Sequence, residues 1–85
     1  MEKQLKIGWV GEGGRLIIKE GFLNYFHPYG RTFRVPIKDI ETVTIDMSRW
    51  GKGKLKIIGK GAELASMEMP INWANKCQEW ILKNK

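Results

Sequence analysis

The chain reads as a mainly β domain, a bent antiparallel sheet or small barrel of about seven short strands capped by one C-terminal α-helix. Three observations carry this reading. Apolar and polar residues alternate through IETVTIDM (40–47) and again in KLKII (54–58), the two-residue period of strands with one buried face. Ten glycines cut the 85 residues into short apolar runs. The final segment, NWANKCQEWILKNK, changes to helical spacing, with Trp73, Cys77, Trp80 and Ile81 recurring on one side and Ala74 beside them.

The elements follow in order. LKIGWV is a first strand, ended by the GEGG stretch. RLIIKE and FLNYFH are rich in β-branched and aromatic residues and read as two strands, with Gly21 turning or bulging the chain between them. HPYGR is a turn, since Pro28 presets one backbone angle and Gly30 frees another. TFRVPI is a strand that lies at an edge or ends at Pro36, because proline has no amide hydrogen to give a ladder.

IETVTIDM places Val43, Ile45 and Met47 on one face and Thr42, Thr44 and Asp46 on the other. SRWGKG is a loop. KLKII turns Leu55 and Ile57 inward and leaves Lys54 and Lys56 in water, GKGAE turns again, and ELASMEM aligns Ala65, Met67 and Met69. The strands fall within 4–69 and the helix runs over about 72–83, with Asn72 as its N-cap and Lys83 and Lys85 at the negative end of its dipole. Residues 1–85 make one domain, without linker, repeat or low-complexity segment.

Composition narrows the function classes. No apolar run approaches the ~20 residues of a membrane helix. Glu2, Lys3, Gln4 and Lys6 interrupt any signal-peptide core at the N-terminus. Cys77 is the sole cysteine, so no internal disulfide forms and a reducing cytoplasm is the expected location. The net charge of +6 favours anionic partners.

The segments GGRLIIKEGFLNYF, VPIKDIETV and GKGKLKII, followed by the terminal helix, resemble the bacterial pleckstrin-homology-like domains. VPIKDIETV is similar to the I-P-L-x-D-I-x-S-V pattern that precedes a central strand in that family, and the likeness spans roughly Gly13 to Leu82. It implies a strongly bent seven-stranded sheet capped by the helix. It also implies a binding or assembly module of a bacterial or phage protein, some members of the family forming homo-oligomeric rings. Eukaryotic relatives bind phosphoinositides through a basic first loop. GEGGR departs from that pattern, offering only Arg15 and carrying Glu12.

The residues assemble no catalytic set, so no enzymatic activity, metal or cofactor is expected. His27 and Cys77 lie fifty positions apart and give too few soft ligands for zinc. As a nucleophile pair they are disfavoured, since Cys77 falls on the apolar stripe of the helix. Asp39 precedes Ile40 at a strand entry, where an aspartate commonly bonds local backbone amides in a turn. GKLKIIGK has the wrong spacing for a phosphate loop, and no helix follows the glycines near positions 8–14 as a dinucleotide site requires.

Arg49, Trp50, Lys52, Lys54, Lys56 and Lys60 form the one candidate patch, a stretch without a carboxylate. The bland reading is the solvated face of an alternating strand, whose lysines also deter edge-to-edge aggregation. The sharp reading is a tryptophan loop that meets an anionic surface. The leading expectation is a non-enzymatic module that binds a protein, a peptide or another copy of itself through a strand edge near Pro36 or the Trp50 loop. The alternative is peripheral attachment to anionic lipid at the inner face of the membrane, and after it nucleic-acid binding by the same patch.

Overall fold

The two-residue period governs most of the chain. In a computed structural model describing residues 2–8, 13–28, 32–47 and 50–85, seven strands precede one helix. They are β1 (Lys3–Lys6), β2 (Arg15–Lys19), β3 (Phe22–Phe26), β4 (Thr32–Pro36), β5 (Thr42–Met47), β6 (Lys52–Gly59) and β7 (Ala62–Pro70), followed by α1 (Ile71–Asn84). A single 3₁₀ turn, Ile37–Asp39, links β4 to β5. The strands pair antiparallel in two sheets, ordered β1-β2-β3-β4 and β5-β6-β7. Among the described residues no strand pairing joins the sheets.

The core is the meeting of the inward positions. Leu16, Leu23, Leu55, Ile57, Cys77 and Ile81 have no exposed surface, and Ile7, Val43 and Tyr25 join them. Each large aliphatic side chain so buried contributes about 1.5–3 kcal/mol. The alternation expected for β6 is present, with Leu55 and Ile57 in the core and Lys54 exposed. Lys56 departs from it, half-buried and paired to Asp46 rather than free in water. Met47 shares the parity of Val43 and Ile45 yet is 72% exposed, because it lies at the strand end beyond the core.

Several boundaries differ from the sequence reading. The first strand begins at Lys3 and ends at Lys6; Ile7 continues the hairpin with amide–carbonyl bonds to Gly14 and Gly13 (2.9 and 3.0 Å). Trp9, Val10 and the turn residues 29–31 lie outside the described residues. Lys52 and Gly53 belong to β6, not to a loop. Gly53 is a packing site: a Cβ there would stand 2.9 Å from Ala74 Cβ and 3.0 Å from Ile71 Cδ1, so its absence lets the helix settle on the sheet.

Asn72 is not the N-cap. Pro70 occupies that position in extended conformation (φ −54°, ψ 143°), and the Ile71 amide donates to the Gly51 carbonyl at 3.0 Å. The turn before β6 thus satisfies a first-turn donor that a cap side chain would otherwise take.

Both two-residue hairpins need two successive positive φ angles. Glu20 and Gly21 have φ 53° and 81°, Lys60 and Gly61 have 53° and 74°. This is type I′ geometry, which asparagine tolerates better than glutamate does. Glu20→Asn is therefore expected to stabilise the domain by up to about 1 kcal/mol, read as a rise in denaturation midpoint without a change in slope.

Candidate functional site

A four-plus-three arrangement leaves four sheet edges, and the helix attends to one of them. Gln78 Nε2 donates to the Val43 carbonyl at 2.7 Å, and Lys85 Nζ reaches the Glu41 carbonyl at 3.2 Å, so α1 lies along β5. Lys3 Nζ ties the start of β1 to Asn84 Oδ1 at 2.8 Å. The outer edges of β4 and β7 face each other instead, across a groove of about 450 Å³.

Hydrogen-bond phase shows what β4 offers. The Ile37 amide donates to the Gly21 carbonyl at 2.9 Å, and β4 pairs with Phe22↔Pro36, Leu23↔Val35 and Tyr25↔Phe33. Antiparallel bonding alternates, so Val35 and Phe33 bond to β3 while Thr32, Arg34 and Pro36 turn their backbone groups outward. Pro36 thus falls at a position where its missing amide hydrogen costs the sheet nothing. The open edge presents the amides of Thr32 and Arg34.

Aromatic side chains line the groove below that edge. Tyr25 stands 5.3 Å from Phe33 and 6.0 Å from His27, centroid to centroid, and its hydroxyl donates to the Gly13 carbonyl at 2.9 Å. Thr32 completes this wall, and Leu64, Ser66, Met67 and Glu68 form the opposite one. Leu64 is the extra residue of a β-bulge, since Ile57 faces Ala65 while Ile58 faces Glu63. The site can take an extended chain: outward donors and acceptors on one side, apolar surface beneath, and a carboxylate at Glu68.

Of the basic patch expected from the sequence, Lys52, Lys54 and Lys56 come together, while Lys60 lies apart from them. Arg49 lies outside the described residues. Lys60 sits past the far end of β6, a strand about 23 Å long, and its ammonium lies 3.5 Å from Asp39. Lys52, Lys54 and Lys56 share the outer face of β6, but the flanking strands bring carboxylates to Lys54 and Lys56. Lys54 is directly opposite Asp46 and Glu68, and Lys56 lies 2.6 Å from Asp46 and 4.0 Å from Glu63. Hydrogen bonding to Lys56 holds the Asp46 carboxyl below its usual value, and the same bond raises Lys56. Trp50 is 86% exposed at the β5–β6 turn, close in sequence to exposed Met47.

Cys77 lies wholly inside the core, and desolvation pushes its thiol up to about 12. A raised folded value means its contribution to stability is present at neutral pH and is lost as pH rises from 9 towards 12. Alkylation of the native protein at pH 8 is expected to be on the order of a thousandfold slower than in denaturant; equal rates would place the thiol at the surface. Among the described residues no three His, Cys, Asp or Glu side chains cluster so as to hold a metal ion, and no helix is long and apolar enough to cross a membrane.

No protein family, curated protein or solved structure matches the chain. The groove residues were hidden in the sequence because they come from β3, β4 and β7, up to 43 positions apart from Tyr25 to Glu68. Pro36 was their one visible sign, marking β4 as an edge.

Proposed function

We propose that this chain is a non-enzymatic, pleckstrin-homology-like interaction domain that receives an extended segment along β4, from a protein partner or from a second copy of itself. The observation that carries this reading is the outward-facing backbone of Thr32 and Arg34 above an aromatic groove, opposite the free edge of β7. Main-chain pairing supplies affinity in such sites and the groove supplies selectivity. The two sheets, the terminal helix and the VPIKDIETV segment, which spans the end of β4 and the entry to β5, support the pleckstrin-homology-like assignment. A cytoplasmic location accords with the single buried cysteine.

Light scattering on a size-exclusion column, from micromolar to millimolar protein and at low and high salt, tests self-pairing. Peptides selected from a random display library test a partner strand. Thr32→Pro removes one outward donor and leaves the bonds to β3 intact. It is expected to lower self-association or peptide affinity at least tenfold at unchanged melting temperature. A chain that stays monomeric throughout, and selects no peptide sensitive to Thr32→Pro, would overturn the proposal.

A second reading draws on Met47 and Trp50, 72% and 86% exposed at one hairpin tip. A tryptophan and a flexible apolar side chain at a tip suit insertion at an anionic membrane interface. Vesicle binding that is lost in Trp50→Ala would favour it over edge pairing.

A further inference from the structure

We propose that the outer face of the β1–β4 sheet is a binding platform for single-stranded nucleic acid, separate from the groove. Pairing register gathers Lys6, Arg15, Lys19 and Arg34 onto this face, with Lys6 opposite Arg15 and Arg34 opposite Asn24. Phe22 and Phe26 share it, opposite Lys19 and Arg15. The Arg34 guanidinium lies 3.9 Å from the centroid of the Phe22 ring, and that of Arg15 lies 5.8 Å from Phe26, which is 44% exposed. Between them is a shallow depression of about 320 Å³ floored by Ile17 and Asn24, with Glu2 and Glu20 also lining it.

Charge separates this face from the other sheet. On β6, Lys54 and Lys56 meet three carboxylates, Asp46, Glu63 and Glu68. Among the described residues no ion pair engages Lys6, Arg15, Lys19 or Arg34. Four cations against two carboxylates, interleaved with aromatic rings, match a strand of phosphates and bases: lysine and arginine meet the backbone, while phenylalanine and guanidinium planes stack bases. The two rings stand about 13 Å apart along β3, far enough to take separate bases. An anionic bilayer fits this face less well, because its aromatic rings lie on a sheet surface and the protruding apolar side chains, Met47 and Trp50, stand at the β5–β6 hairpin tip of the other sheet.

Fluorescence anisotropy with labelled oligo(U) and oligo(dT) of about a dozen nucleotides tests this, with anionic vesicles as the competing probe. Saturable binding is expected, weakening steeply between about 50 and 200 mM salt. Arg15→Glu with Arg34→Glu is expected to weaken it at least tenfold and to flatten the logarithmic salt slope by about 1.4. Phe26→Ala is expected to weaken it at least about fivefold. Lys52→Glu with Lys54→Glu, on the other sheet, is expected to cost no more than about threefold. Melting temperatures within a few degrees of the parent would confirm that the variants fold. Absence of binding at low salt, an equal loss in the β6 variant, or displacement of the oligonucleotide by vesicles would overturn the proposal. Since Thr32→Pro leaves these side chains in place, loss of oligonucleotide binding and loss of edge pairing are separately readable.

Discussion

Gly59→Ala is expected to lower the melting temperature by about 12–24 °C, a loss of about 3 kcal/mol in a domain of this size. Gly59 ends β6 beside the Ile37–Asp39 turn that links the two sheets. A Cβ placed there would overlap the Asp39 carbonyl oxygen and press on Leu64 Cδ1 at 2.7 Å. The obstacle is backbone, so no rotamer change relieves it. Relief requires the Ile37–Asp39 turn to move, although the Glu41 amide, donating to Ile58 at 2.8 Å, holds the chain just beyond it. Thermal unfolding followed by circular dichroism reads the effect; a shift under about 4 °C would show that the linker yields freely.

Ile81→Ala should cost about 2–5 kcal/mol, the range for truncating a fully buried aliphatic side chain. Ile81 lies on the same stripe of α1 as Ala74 and Cys77, all without exposed surface, and this stripe anchors the helix to the strands. The next residue supplies the control. Leu82 is 37% exposed, so Leu82→Ala should cost less than about 1 kcal/mol. Urea titration of both variants measures the contrast, and equal losses would mean that the helix docks on a different face.

Much of the fold is legible in the sequence because one physical rule, burial of alternate side chains, acts locally. Leu55 and Ile57 point inward as their spacing demands, and Trp73, Cys77 and Ile81 mark the helix. Glycine obscured the rest. The same residue type ends a strand at the Lys60–Gly61 turn and fills one at Gly53, where the reason is a helix side chain from 21 positions away. The helix starts one residue earlier than its side-chain pattern indicates for a related reason: the Gly51 carbonyl, not Asn72, satisfies the Ile71 amide.

The candidate site was less legible still. A run of cations from 49 to 60 looks like a patch in one dimension, but strand pairing sets Asp46, Glu63 and Glu68 against its lysines and carries Lys60 to the far end. Conversely, Arg15 and Arg34 lie 19 positions apart and reach one face only through the register of β2, β3 and β4. Charge proximity belongs to the sheet and not to the chain.

Amide hydrogen exchange by NMR at Thr32 and Arg34 addresses the edge-pairing account most directly. It would be followed at micromolar and millimolar protein, and with a display-selected peptide. Both amides should exchange rapidly in the isolated chain, since they point away from β3. In the paired state both should slow at least tenfold, while Val35, already bonded to β3, changes little. Unchanged exchange at Thr32 and Arg34 when a complex has formed, with protection arising elsewhere, would contradict recognition at this edge.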